Sequence, residues 1–193
     1  MSWTQIDMWL RNRERYIGRY MLGGADFSNS GMEFGKRTSE ALDGEWDDDE
    51  LMAAVVALLP KYPMSEAELR AELTTKDGKV ELLGKLDRYD PKAPRFREVK
   101  TGRTVWTQAK AQKHKQMHHY ATLIWMVTGK VPKEAWLDWA QTELYQGEVV
   151  FTGQIRSFRV KLGMADILAY MSLAGRVARE IDVAYRAELK RMT

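Results

Sequence analysis

The sequence predicts a mixed α/β protein, a central mixed β-sheet flanked by helices. Three observations carry this. Apolar residues recur at helical spacing in residues 3–42 and again in 163–192. Between residues 66 and 100 the period changes to alternation, broken by hairpin and proline punctuation. One long helical pattern then separates this block from a second alternating block at 136–160, which is the order of a mixed domain.

The elements follow in order. Trp3, Ile6, Trp9, Leu10, Ile17 and Met21 place a helix over residues 3–22. Arg11, Arg13, Arg15 and Arg19 in the same stretch read, on their own, as a solvated face. Gly23-Gly24 and Ser28-Asn29-Ser30-Gly31 break the pattern. A second helix is expected over 32–42 and a third from Asp48 to Pro60. The run Asp47-Asp48-Asp49-Glu50 opens that third helix, where carboxylates offset exposed amide dipoles. Residues 66–75 and 79–89 are strands around Lys76-Asp77-Gly78, a hairpin turn signal. Pro91 and Pro94 bracket the next turn, and residues 95–100 form a short strand ending at Thr101-Gly102. A helix over 106–128 is closed by Thr128-Gly129 with Pro132 beyond it. Residues 136–145 and 148–160 are strands around Gln146-Gly147, and 163–192 is a long amphipathic helix. The expected organisation is one domain over 1–193: a helical part (1–60), the sheet with its helix (66–160) and the last helix (163–192).

With 193 residues, 45% hydrophobic and 30% charged, the chain can bury a real core and is too apolar for disorder. It has no cysteine, which excludes disulfides, thiolate nucleophiles and Cys-ligated zinc or iron–sulfur clusters. Its longest apolar run, Leu51 to Pro60, is short of the ~20 residues of a bilayer span. No secretory signal opens the sequence, so the cytoplasm is the expected location and no membrane partner is expected. A net charge of +3 does not argue nucleic-acid binding alone.

The chemistry-bearing residues are concentrated. Gly84-Lys85-Leu86-Asp87 puts a carboxylate at the end of one strand, and Glu98-Val99-Lys100 puts a carboxylate and an amine on one face of the next. Gln116 and Tyr120, four apart, share a helix face. Asp87 and Glu98 are the ligand type that Mg²⁺ or Mn²⁺ prefers, and the Val99 backbone carbonyl could add a third oxygen. Lys100 could orient an attacking water or stabilise phosphate charge. Hydrolysis of a phosphodiester needs this combination of charge neutralisation and activated water. Taken singly, a Gly-x-x-Asp is often a turn and a Glu-x-Lys pair an exposed strand face. His114, His118 and His119 have no evident further zinc ligand and are expected at a channel edge or solvated face, with His118 or His119 in reach of a phosphate. Trp106, Trp125, Trp136 and Trp139 are expected in packing, with Trp46 and Tyr145 nearer to loops.

In this order the motifs resemble the PD-(D/E)XK nuclease superfamily, in its branch of RecB-type and lambda-type exonucleases and CRISPR-adaptation nucleases. Ser2-Trp3-Thr4-Gln5-Ile6 with Arg13-Glu14-Arg15-Tyr16 and Arg19-Tyr20 is similar to that branch's first helix. Residues 33–42, with Gly35 and Glu40, resemble its first motif. Gly84 to Asp87 resembles Gly-x-x-Asp, Glu98 to Gly102 the acid-x-Lys motif with its trailing Thr-Gly, and Gln116 to Tyr120 the Gln-x-x-x-Tyr motif. The resemblance covers most of the chain and implies a restriction-endonuclease-like core.

It also implies roles. Asp87 and Glu98 would hold Mg²⁺ or Mn²⁺, and Lys100 would assist the nucleophile. Glu40 would be the first-motif acid, touching a metal through water or helping to place Lys100. Gln116 and Tyr120 would line the DNA channel, with Arg15, Arg19, Arg37 and His119 as further substrate contacts. Ser39 stands where RecB-type members often carry a metal-binding histidine, and the cluster-binding cysteines of several relatives are absent, so no iron–sulfur cluster is expected. The implied activity is that of a metal-dependent deoxyribonuclease, an exonuclease of phage or bacterial recombination, repair or processing. DNA ends would be its substrate, and a single-strand-annealing or helicase partner and an oligomer would be compatible with it. The alternatives are a structure-specific endonuclease on the same fold and a DNA-binding subunit that has lost turnover.

Overall fold

The structure is a computed structural model that describes residues 1–25, 30–42, 44 and 50–192. The expected break at Ser28-Asn29, the acidic run at Asp47-Asp48-Asp49 and Trp46 lie outside the described residues. In chain order the elements are α1 (Trp3–Arg11), α2 (Arg13–Tyr16), a π-helical turn (Ile17–Met21), α3 (Ser30–Leu42), α4 (Glu50–Ala57), β1 (Met64–Thr75), β2 (Gly78–Asp90) and β3 (Arg95–Gly102). Then come α5 (Gln108–Gln112), α6 (Lys115–Thr128), β4 (Glu134–Tyr145), β5 (Glu148–Arg159) and α7 (Met164–Met192). This is a mixed α/β fold with a five-stranded mixed sheet in the order β1-β2-β3-β4-β5. Neighbours are antiparallel except β3 and β4, which are parallel and therefore need the crossover that α5 and α6 supply.

Two expected helices are each divided. Asn12 interrupts the first: its backbone is extended and its side chain accepts the Arg15 amide, the competition with helical bonding that asparagine offers. The helix expected over 106–128 breaks before α6, where His114 is extended. Thr107 caps α5, and the Gln112 side chain bonds both the N–H and the C=O of Lys161, so α5 follows the end of β5 while α6 lies on the sheet. Gly129, at φ 70°, closes α6 in the left-handed conformation that glycine adopts without penalty.

Helices cover both faces. α1, α6 and α7 bury Trp9, Met117, Ile124 and Tyr170 against Leu82, Leu86 and Phe96 of the sheet. On the other face α3 and α4 bury Phe34, Met52 and Val55 against Val99, Phe151 and Ile155. Arg97 and Asp138 tie β3 to β4 by a buried two-bond ion pair, each contact 2.7 Å. Trp139 is buried and donates to the Gly102 carbonyl, whereas Tyr145 is exposed at the β4–β5 turn. Among the described residues no helix is long and apolar enough to cross a membrane.

Gly84 sets how closely α6 approaches β2. A Cβ there would stand 2.7 Å from Leu123 Cδ1 and 2.8 Å from Tyr120 Cε1, inside contact distance and against packed side chains. The glycine of the Gly-x-x-Asp segment is thus a spacing residue that lets Tyr120 reach the strand. Gly84→Ala should cost about 1–3 kcal/mol through overpacking and displace Tyr120, which thermal unfolding of the purified variant would show as a lowered Tm.

Candidate active site

The site forms where two strands part. β2 and β3 pair only through Arg88↔Arg97, Tyr89↔Phe96 and Asp90↔Arg95. One step further, Asp87 and Glu98 stand opposite each other, and there the ladder stops. The Val99 N–H that a neighbouring strand would have bound donates instead to Asp87 Oδ2, at 2.5 Å. A residue's N–H and C=O point to the same side of a strand, so the Val99 carbonyl also faces this gap. A cleft of about 330 Å³ opens at the fork, lined by Asp87, Glu98, Val99 and Lys100 and by Gly35 and Ser39 of α3.

Alternation fails at this level of β2. Leu82, Leu86 and Tyr89 all join the same core, although Leu86 and Tyr89 are three apart. Arg88, between them, turns to the opposite face and bonds Ser65 and the Leu42 carbonyl, the latter at 2.7 Å. Asp87 sits at the reset. It therefore lies within β2, not at its end as the sequence suggests, and points across the gap toward β3.

Glu98 and Lys100 share a face, as a period of two requires. Lys100 Nζ donates to Glu98 Oε1 at 2.6 Å and to Gln116 Oε1 at 2.7 Å. Gln116 Nε2 donates to the Tyr120 hydroxyl at 2.8 Å, which donates to the Lys85 carbonyl at 2.7 Å. Because the hydroxyl gives its proton to a backbone carbonyl, it must accept from the amide nitrogen, and this fixes the glutamine oxygen toward Lys100. Tyr120 is only 5% exposed. The close seating of α6 at Gly84 encloses it, and its hydroxyl fixes the orientation of the Gln116 amide that meets Lys100.

A further acid, missed by sequence reasoning, joins the group. Glu66 of β1 has a side chain 5% exposed, pairs with Lys85 Nζ at 2.6 Å and accepts the Ser39 hydroxyl at 2.6 Å. Its φ is 47°, a left-handed conformation that costs a non-glycine residue about 1–3 kcal/mol. A signal for it existed: the turn at Lys76-Asp77 pairs Thr75 with Gly78, and counting back along that hairpin puts Glu66 opposite Asp87.

Several expected site residues are elsewhere. Residues 31, 35, 38, 39 and 42 of α3 face the cleft, a helical stripe that leaves Glu40 about a quarter-turn away, where it pairs with Lys36 at 3.2 Å. His119 is fully buried, with Nε2 against the Leu83 carbonyl and Nδ1 against the Tyr170 hydroxyl, away from the cleft lining. Burial pushes its pKa down to about 4. His118 is buried too, and His114 packs edge-on between Trp3 and Trp106; α6 is enclosed by the sheet and α7, which a single amphipathic stripe does not reveal. Arg15, Arg19 and Arg37 do not line the cleft. Arg13, from the same basic run, is committed to Glu180 of α7 and to the Trp9 ring.

The electrostatics fit a divalent cation. Burial, then repulsion from Glu98, raises the Asp87 pKa well above the usual carboxylate range, against the opposing pull of Lys100 and the Val99 amide. Glu98 is raised as well, by burial first and Glu66 further down, with Lys100 opposing. Lys100 is raised because the attraction of Glu98 and Asp87 outweighs its desolvation. Three acidic side chains face two ammonium groups here, and the buried Glu98 Oε2 has no donor but the Asp87 carboxyl beside it. Among the described residues no three acid or histidine side chains are already arranged as a metal cluster. The oxygen donors that would hold a cation are Asp87, Glu98 and the Val99 carbonyl.

No family model and no curated protein matches the sequence. Solved structures do share the fold. A candidate exonuclease from Eubacterium rectale is 11% identical with a TM-score of 0.65, over 97% of this chain and 82% of that one. The protein SSO0001 is 12% identical with a TM-score of 0.51, over 93% and 75% respectively. At these identities the likeness is one of fold.

The raised carboxyl pKa values make stability depend on pH. The folded state keeps protons that the unfolded chain releases above about pH 4. Their stabilising contribution is therefore complete in acid and is lost as the pH rises through the raised values. With chelator present, Asp87→Asn should melt at a higher temperature than wild type at neutral pH, and the two curves should converge in acid. Thermal unfolding across a pH series checks this.

Proposed function

We propose that the protein is a Mg²⁺- or Mn²⁺-dependent deoxyribonuclease with a PD-(D/E)XK-type site, acting as an exonuclease on DNA. One observation carries the reading: two carboxyl groups, Asp87 and Glu98, are buried side by side at the cleft, where Glu98 Oε2 has no donor but the Asp87 carboxyl and burial keeps Asp87 from ionising freely. A hard cation relieves both conditions. When bound, it would neutralise phosphate charge and make water a better nucleophile. The likeness to a candidate exonuclease supports the choice of an exonuclease.

The chain's own residues do the rest. Asp87, Glu98 and the Val99 carbonyl supply oxygen donors at a fork that backbone pairing cannot close. With no cation bound, the attraction of Glu98 and Asp87 outweighs burial and holds Lys100 as an ammonium, a group that offers charge and hydrogen bonds to the substrate. Two of its three N–H bonds go to Glu98 and Gln116, and the third is left for a phosphate oxygen or the attacking water. The Gln116–Tyr120 chain, anchored on the Lys85 carbonyl, keeps that third bond aimed. Attack by water forms one P–O bond and breaks the bond to the leaving sugar oxygen; the water gives up a proton to solvent, the leaving oxygen takes one from solvent, and Lys100 stabilises the charge that gathers on the phosphate oxygens.

Lys100→Ala should fold and bind DNA yet leave end-labelled linear duplex uncut in Mg²⁺ or Mn²⁺, where wild type degrades it and chelator stops it. Undiminished cleavage by Lys100→Ala would overturn the assignment, and cleavage of closed circular DNA by wild type would make the enzyme an endonuclease. Tyr120→Phe removes only the anchor of the chain. It should lower kcat about 10-fold or more with little change in KM, as steady-state kinetics would show.

A further inference from the structure

Glu66 is placed as no purely structural glutamate needs to be. The hairpin register sets it opposite Asp87, yet Glu66 and Asp87 are absent from the ladder that runs on either side of them, Ser65↔Arg88 and Ala67↔Leu86. Its left-handed backbone turns it out of the strand, and its carboxylate is buried. Both oxygens are held, Oε1 by the Ser39 hydroxyl and Oε2 by Lys85, and its charge acts on Asp87, Glu98 and Tyr120. Ser39 lines the cleft with Asp87 and Glu98, so the Ser39–Glu66 bond borders the same space. In addition, Glu98 Oε2 is buried with no donor but the Asp87 carboxyl, so the two acids concentrate negative charge at the same cleft.

We infer that Glu66, held on β1, supplies a third negative charge beside the Asp87–Glu98 cation site, in place of an acid from α3. This rests on the reading of the cleft as a divalent-cation site. Glu66 is a positioning residue: it adds negative charge beside Asp87 and Glu98, and Ser39 and Lys85 hold it in place. Lys85 also partly neutralises that charge, and with a side chain 57% exposed it can be removed without opening the core. The arrangement therefore makes two opposite predictions. Loss of the Glu66 charge should weaken cation binding, and loss of the Lys85 charge should strengthen it.

The test is Mn²⁺ binding to the full chain without DNA, by calorimetry or by the free-Mn²⁺ electron paramagnetic resonance signal. Relative to wild type, Glu66→Gln should bind Mn²⁺ about 10- to 100-fold more weakly and Lys85→Ala several-fold more tightly. Glu72→Gln, an exposed acid on β1 paired with Lys79, should match wild type. Circular dichroism and unfolding in chelator establish that the variants are folded. Should Glu66→Gln fail to fold, the direction of the Lys85→Ala change still decides. Wild-type affinity in both Glu66→Gln and Lys85→Ala, with binding lost in Asp87→Asn, would overturn the role of Glu66 and leave the proposed function standing. Absence of Mn²⁺ binding by wild type itself would overturn both.

Discussion

Everything at the site follows from the point at which β2 and β3 cease to pair. A continued ladder would have placed Asp87 and Glu98 as one more cross-strand pair, two like charges face to face, with the Val99 amide consumed by a backbone bond. The strands instead part after three pairs, and the Asp87 carboxylate takes the freed amide. The gap this leaves faces both layers of helices. Glu98 and Lys100 can then meet Gln116 of α6 on one side while Ser39 of α3 closes the other.

Two devices keep that gap ordered, and both are made of conformations that local preference disfavours or that other residues would block. Gly84 admits α6 so close that Tyr120 reaches the Lys85 carbonyl, which orients Gln116 and through it Lys100. Glu66 holds a left-handed backbone in the facing strand, where the face alternation of both strands is reset. Strained conformations persist where surrounding structure holds them in place, and here the holding comes from Ser39, Lys85 and the flanking ladder. The fold that results is shared with a candidate exonuclease at 11% identity, so it is the geometry and not the sequence at large that the two have in common.

The strands were readable from sequence to within a residue or two, because alternation, hairpin turns and prolines are local signals. The helices were readable in place but not in their breaks. Asn12 and His114 interrupt periodic patterns for reasons that lie in their partners: a side-chain cap at one, and the diverging attachments of α5 and α6 at the other. His118 and His119 show the same limit. A helix pressed between the sheet and α7 is buried on two sides, and polar residues on it look exposed until the second neighbour is known.

By itself the sequence determined the mixed α/β class, the shared strand face of Glu98 and Lys100 and the shared helix face of Gln116 and Tyr120, since strand and helix periods are properties of the chain alone; that these meet Asp87 at one place was what the motif resemblance implied. Tertiary structure decided which further acid lies beside Asp87. Glu40 is near Ser39 in sequence but turned away by the helical repeat, while Glu66 is brought opposite Asp87 by a hairpin and aimed by a backbone angle that no local preference would select. It also decided that Tyr120 serves the lysine from within the protein, because only the approach of α6 over Gly84 removes that hydroxyl from solvent. Periodicity states which face of its own element a residue occupies; what lies against that face is set by packing.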